Sequence, residues 1–482
     1  MRYATLKVEF YLDANNEYQI RDLNIKTYVK SNGFDTKTIN TAINTLQDLD
    51  VDTVFVNDLD KFYIYLIDYL AKQNVQFTYA YKAGKCSNVK TNIMTFINFK
   101  SKFGIEYDDN IAFELIDYAI EKGRTRCSLG ADAWNEFVKT LLPPTRYREF
   151  VAYKIIREQD RYPVFDYNVD LIEAKYNVAG YQMCKKGTFE NVIDYDISSS
   201  YPASALCQMP KGLPKEYTSL EDCPVTYFKI IKFSYFDCKI KPNKIAFVRT
   251  TAMGQLVLPE KMFELFKQNY DCKIVIKKVY GFKTEKSPFA QFMYDNIING
   301  KINEPRPHIA KYNKNIGNAI IGYLGRNTTT TENTAIFAQK RLVLGEEIKT
   351  IEPIYLPAYL CVLDRSKSKF IRTVQTYQDK IIYANTDGFL ATQPINLQEL
   401  NYCNALPIGN YRQKHNYVKI HIESINGFCA ITDTGELDNT LSGMTMLDKI
   451  EPEQYKSKQF EYYINTPTEH GTIKRQTVRP HQ

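Results

Sequence analysis

The amino-acid sequence predicts an α+β protein built on an antiparallel sheet with helices attached, preceded by a smaller α/β unit. Three observations carry this reading. Strand-like runs recur at residues 226–233, 273–279 and 380–384 with helical segments between them, the alternation expected where helices pack on an antiparallel sheet. The first stretch mixes strand-like runs at 6–12 and 53–56 with helical runs at 61–73 and 111–122, an α/β pattern of its own. The pattern breaks at Leu141-Leu142-Pro143-Pro144, and the charged run Arg157-Glu158-Gln159-Asp160-Arg161 precedes the next strand near Val192, so the main boundary falls there.

The chain has 482 residues, 44% hydrophobic and 13% aromatic, enough for two or three folded domains and too apolar for a disordered chain. A formal charge of +7 favours a polyanionic partner such as nucleic acid, although an ordinary solvated surface carries such an excess too. The ten cysteines are scattered without C-x-x-C spacing, which excludes the usual zinc and redox motifs and suits a reducing cytoplasm. No apolar run reaches about 18 residues and no signal-peptide pattern follows Met1, so no membrane partner is expected. There is no internal repeat.

In Val192-Ile193-Asp194-Tyr195-Asp196-Ile197-Ser198-Ser199-Ser200-Tyr201-Pro202, alternation puts Asp194 and Asp196 on one strand face, and Ser200 with Pro202 can open a helix. Asp196 thus stands at a strand end, where a carboxylate can hold Mg²⁺ while the following turn meets phosphate oxygens. Taken alone, the segment also reads as a turn and a helix cap.

The run from Lys380 to Thr392 reads as strand, tight turn, strand, with Asn385, Thr386, Asp387 and Gly388 between apolar arms. Asp387 falls at the hairpin tip, stiff enough to stand beside a second carboxylate; two such groups can bridge two metal ions about 3.5–4 Å apart and promote in-line displacement at phosphorus. A plain hairpin turn is the bland alternative.

Between these carboxylates, Lys311, Lys314 and Asn318 recur at helical spacing and share one face, with Ile316, Ala319 and Ile320 turned inward. The lysines can meet a triphosphate, and Gly322 permits close approach of a base pair. A solvated lysine face is the commoner origin of such a pattern.

The order of the three motifs resembles that of family B DNA polymerases, most closely the protein-primed phage and linear-plasmid branch. Asp196 to Pro202 is similar to the family's D-x-x-S-L-Y-P, Lys314 to Gly322 to K-x-x-x-N-S-x-Y-G, and Tyr383 to Gly388 to Y-x-D-T-D-S. The intervals between them leave room for the two insertions typical of that branch. Residues 354–375 and Leu441-Ser442-Gly443-Met444-Thr445, which resembles C-A-G-M-T of the thumb, extend the likeness over roughly residues 120–450.

The resemblance implies a palm, fingers and thumb behind a reduced exonuclease-like domain at 1–165. Palm and fingers are expected at 166–408, with fingers about 285–325 and a hairpin insertion about 327–353, and the thumb at 409–482. It implies that Asp196, Asp387 and the backbone of Ile197 hold two Mg²⁺ ions, with Mn²⁺ as a substitute. It further implies that Lys314, Lys311, Asn318, Ser199 and Gly322 form the nucleotide pocket, and that Tyr201 lies under the sugar and excludes a 2′-hydroxyl. The implied partners are template and primer DNA, dNTPs and a terminal priming protein, in the cytoplasm of a host cell if the chain is viral.

The sequence also departs from that pattern. Ala319 and Ile321 replace Ser and Tyr of the second motif, and Asn385 replaces the first Asp of the third. The K-x-Y primer grip would fall near Asn426-Gly427-Phe428, without its lysine; Lys414 and Lys419 could supply the charge instead. The exonuclease motifs are broken at Glu9-Phe10-Tyr11, at Asn57 to Lys61, where a lysine in a ligand position would repel a cation, and at Tyr107 to Ile111. The expected function is therefore template-directed DNA synthesis without proofreading, protein-primed. A DNA- or RNA-primed enzyme of the same fold and a catalytically decayed nucleic-acid-binding relative are the alternatives.

Overall fold

The computed structural model describes residues 3–14, 17–29, 33–39, 51–73, 75–82, 85–92, 94–126, 128–140, 166–178, 180–326, 329–338, 341–350, 355–401, 407–425, 427–441, 445–446, 449–457, 462–467 and 473–478. The expected break at Leu141–Pro144 lies outside them.

The N-terminal stretch folds into a sheet whose middle strands, Tyr3–Leu12, Thr53–Val56 and Thr95–Asn98, run parallel, while the strands outside them pair antiparallel. Alternation along Tyr3–Leu12 feeds two cores: Ala4, Leu6 and Val8 face one, Tyr3 the other. The first core is closed by helix Leu59–Lys72, which buries Leu59, Phe62, Tyr63, Leu66, Ile67, Leu70 and Ala71 along one stripe, with Asp58 capping its first turn. Helices Phe99–Phe103, Ala112–Glu121 and Leu129–Thr140 cover the other face.

One feature of this sheet is non-local. The hairpin of strands Thr329–Ala338 and Arg341–Thr350 joins it at strand Phe77–Lys82, through the pairs Asn333↔Tyr79 and Thr334↔Thr78. Both strands lie within 327–353, and with them this sheet has nine strands among the described residues.

The remainder is organised around a seven-stranded antiparallel sheet. In spatial order its strands are Leu437–Leu441, Gly427–Thr432, Tyr411–Ser424, Gly187–Ile197, Gly388–Ala391, Ile381–Asn385 and Gln182–Cys184. It runs across position 408/409, so the strands of 411–441 are part of the same sheet as Asp196. Helix Leu356–Thr376, almost wholly buried, packs behind it with short helix Ser200–Ala205. A four-stranded sheet (Met209–Tyr217, Tyr270–Glu285, Phe228–Ile240, Met253–Pro259) lies between Asp196 and the lysine helix in sequence, and a three-stranded one (Thr445–Met446, Tyr462–Pro467, Ile473–Val478) comes last.

The lysine-rich segment forms helix Pro307–Leu324, preceded by a π-helix, Tyr294–Ile302. Gly317 is where Ile297 packs: a Cβ there would lie 2.4 Å from the isoleucine Cδ1, so the glycine that weakens the helix lets the two segments touch. Among the described residues no helix is long and apolar enough to cross a membrane.

Candidate active site

The two aspartates meet in the middle of the seven-stranded sheet. Strand Gly388–Ala391 pairs with Gly187–Ile197 so that Gly388 faces Asp196, and the Ile197 N–H donates to the Asp387 carbonyl at 3.0 Å. Asp387 therefore sits against Ile197, one position beyond Asp196. Gly388 eases the close approach, since a Cβ there would lie 3.2 Å from the Tyr195 carbonyl, tighter than an ordinary contact. Thr386 takes a left-handed conformation (φ 63°) to turn the tip.

On the other side Tyr411–Ser424 brings Arg412 opposite Asp196. Its guanidinium donates to both carboxylate oxygens, at 2.8 and 3.3 Å, and Lys414 Nζ lies 3.5 Å from Asp194. Burial raises the Asp387 carboxyl above its usual range; Lys367, Lys314 and Lys414 pull it back, while Asp196 pushes it up. The same contest, with Lys414 as counter-charge, raises Asp194.

The helix Pro307–Leu324 presents the expected face. Lys311, Lys314 and Gly322 are exposed and Asn318 half-buried, while Ile316 and Ile320 are buried. Lys314 is near enough to Asp387 for its charge to be felt there. Gly322 has nothing within 4 Å of a would-be Cβ. Ile321 is buried in the core, 2% exposed.

Tyr201 packs at the start of its short helix, its hydroxyl pKa pushed up to about 12 by burial, Asp387 and Tyr359, and Lys367 Nζ stands 5.6 Å from its ring centre. Ser199 accepts a hydrogen bond from Lys301 Nζ at 2.6 Å. Burial, with Lys314 and Arg412 nearby, lowers Lys301 to about 8; Lys367, which donates to the Thr386 carbonyl, is lowered to about 8 by burial despite Asp387. Asn385 is used internally: its carboxamide oxygen accepts from Gln182 and Thr386.

Sequence reading missed Arg412, Lys301 and Lys367. It placed the primer grip near Asn426-Gly427-Phe428; residue 426 lies outside the described residues, and Phe428 is buried against Tyr383. Of the two lysines the sequence offered, Lys414 stands beside the carboxylates, within the register slip between Gln413 and Asn416, whereas Lys419 pairs with Glu453. The bulge aims the lysine, and nothing local in the sequence marks it.

At the broken motifs of the N-terminal sheet, lysines occupy the carboxylates. Lys7 pairs with Glu9 (3.3 Å) and Asp109 (3.5 Å), Lys26 with Asp109 (3.0 Å), and Lys61 with Asp58 (2.8 Å) while lying over the Tyr18 ring. Asn57 bridges strands by bonding the Val8 N–H and carbonyl.

Among the described residues no group of three or more His, Cys, Asp or Glu side chains could hold a metal. Asp196, Asp387 and the Ile197 carbonyl offer hard oxygen donors, which suit an ion that keeps water and phosphate oxygens in its shell. The raised Asp387 carboxyl, which has no hydrogen-bond donor among the described residues, gains from an added positive charge.

Residues 176–398, a stretch that includes Asp196, Lys314 and Asp387, match the family described as DNA polymerase type B, organellar and viral. No curated protein matches the chain by sequence. Among solved structures the fold is similar to Phi29 DNA polymerase complexed with primer-template DNA and incoming nucleotide substrates, with TM-score 0.80, 13% identity, and 99% of each chain covered. Phi29 DNA polymerase complexed with single-stranded DNA gives TM-score 0.79 and 14% identity, again over 99% of each chain.

The fold and the matched segment together support a DNA-directed DNA polymerase. That family match covers the segment 176–398, and the chain as a whole is similar in fold to Phi29 DNA polymerase.

Proposed function

We propose that the chain replicates a viral or linear-plasmid genome by protein-primed synthesis, with Asp196 and Asp387 as the metal-binding pair. The observation that carries the reading is their adjacency across the Gly388↔Asp196 register, beneath a helix whose Lys314 charge reaches Asp387. Two Mg²⁺ ions, with Mn²⁺ as a substitute, would supply activation of the primer hydroxyl and charge neutralisation on the leaving pyrophosphate when bound by Asp196, Asp387 and the Ile197 carbonyl. Lys314 and Lys301 bind the triphosphate, with Lys311 one turn outward and Ser199 orienting Lys301. Asn318 and Gly322 line the pocket. Tyr201 closes it under the sugar and rejects a 2′-hydroxyl. Arg412 and Lys414 neutralise primer phosphates.

In this reading the seven-stranded sheet is the palm, Tyr294–Leu324 the core of the fingers, and the thumb follows Leu441. The hairpin Thr329–Thr350 guides template, a terminal protein offers the priming hydroxyl, and the enzyme works in the cytoplasm of the host cell. Lysines 7, 26 and 61 leave the N-terminal sheet without a proofreading metal site. Degradation of a mismatched primer end by pure protein with Mg²⁺ would refute that part.

The decisive test is incorporation of labelled dNTPs on a primed template with Mg²⁺, comparing the native chain with Asp387→Ala. Activity lost in the variant supports the site; equal activity in both removes Asp387 from it. Deoxynucleotide attachment to a protein hydroxyl, absent with a DNA primer alone, separates protein priming from ordinary primer extension.

A further inference from the structure

Arg124 belongs to the N-terminal unit, yet its guanidinium reaches both segments that carry the triphosphate lysines. It is 3% exposed. One Nη donates to the Asn313 carboxamide oxygen at 2.8 Å, and Asn313 immediately precedes Lys314. The other donates to the Asn296 oxygen at 2.6 Å, on the π-helix Tyr294–Ile302 that carries Lys301. Nε donates to Glu136 at 2.7 Å, which fixes the plane of the fork. Each amide is bound on its nitrogen side as well. Asn313 donates to the carbonyl of Gly300, the residue before Lys301, at 2.7 Å and to the Tyr118 hydroxyl, while Asn296 donates to Glu136 and to the Phe292 carbonyl.

The arginine is itself held from behind. Lys102, buried, donates to the Arg124 carbonyl at 3.0 Å and pairs with buried Asp132, which accepts from the Arg126 N–H at 2.8 Å. The network therefore runs from a fixed loop, through one planar cation, to the two segments that set the separation of Lys301 and Lys314. Two like charges held close repel unless a frame resists them, and a five-donor fork bonded at three points is such a frame.

We propose that Arg124 is a positioning residue for nucleotide binding: the N-terminal unit, through Arg124, sets the spacing of Lys301 and Lys314 at the triphosphate. This rests on the assignment of those lysines made above. A purely structural arginine would change stability alone.

The experiment measures steady-state incorporation on a primed template, and DNA affinity separately, for Arg124→Lys, Arg124→Met, Glu136→Gln and Lys314→Ala. Tyr65→Phe, which removes a hydrogen bond to Tyr18 in the other N-terminal core, is the stability control. The expected result is a KM for dNTP raised about tenfold in Arg124→Met and less in Arg124→Lys, with kcat within about threefold and DNA affinity unchanged. Glu136→Gln gives a smaller rise in the same direction, and Tyr65→Phe lowers Tm without moving KM. An unchanged KM in the Arg124 variants, with Lys314→Ala still raising it, overturns the inference alone. An unchanged KM in Lys314→Ala overturns the lysine assignment beneath it. Should Arg124→Met fail to fold, Glu136→Gln decides, since the substitution removes the glutamate's charge while keeping its size.

Discussion

Arg412 grips both oxygens of Asp196, with Nε 2.8 Å from one and Nη2 3.3 Å from the other. A carboxylate offered to a metal is thus already neutralised by a forked cation. Both groups are partly exposed, so the pair is modest in strength and open to exchange. Arg412→Gln is expected to lower the Mg²⁺ concentration for half-maximal binding by about threefold, because the ion no longer competes with the guanidinium. Calorimetric titration of the DNA-free protein with Mg²⁺ or Mn²⁺ reads this directly, and a weaker affinity in the variant would show Arg412 helping the site instead.

Tyr201 should set sugar selectivity. Replacing it with valine opens the space its half-buried ring fills, and the preference for dCTP over CTP is expected to fall roughly 10–100-fold, the usual range for a steric filter. Competing-substrate incorporation measures the ratio. Unaltered selectivity would assign Tyr201 to the core only.

Breaking the Lys102–Asp132 pair should be costly. Lys102→Met leaves Asp132 buried without its counter-charge, an expected loss of about 3–5 kcal/mol in denaturant unfolding. The double variant Lys102→Met with Asp132→Leu should recover most of it. Equal losses in single and double variants would mean that the bonds to the Arg124 loop, and not the charge pair, carry the stability.

Asp364 gives the chain a pH dependence. Its carboxylate caps helix Glu260–Asn269 by accepting from the Lys261 and Met262 N–H groups, but complete burial raises its pKa from 3.8 to about 7. The folded state then binds this proton more tightly than the unfolded chain, so the group's contribution is greatest below about pH 4 and is lost as pH rises towards 7. Between pH 5 and pH 8 the native chain should lose more stability than Asp364→Asn. Parallel curves for the two would remove Asp364 as the source.

The features legible in the sequence are those that local periodicity writes. Alternation placed Asp194 and Asp196 on one face, the turn residues placed Asp387 at a hairpin tip, and helical spacing put Lys311, Lys314, Asn318 and Gly322 together. Arg412 was out of reach because strand register carries it to Asp196 across 216 positions. Lys414 needed a register slip that no turn residue announces. Lys301 falls on a π-helix, whose spacing breaks the 3.6-residue rhythm by which a reader would align it with Lys314. Arg124 carries no local signal; only burial against Asn296 and Asn313 gives it a role.

The hairpin Thr329–Thr350 makes the N-terminal sheet and the polymerase core a single piece of weaving. Strand Thr329–Ala338 finds its second neighbour in Phe77–Lys82, so a chain cut before Asp166 would leave a row of peptide groups facing solvent and ready to pair with another molecule. A minimal enzyme trimmed of its first domain should therefore clump on expression. Whatever chemistry that domain performs, the enzyme could not discard it, because the domain serves as the selvage of its cloth.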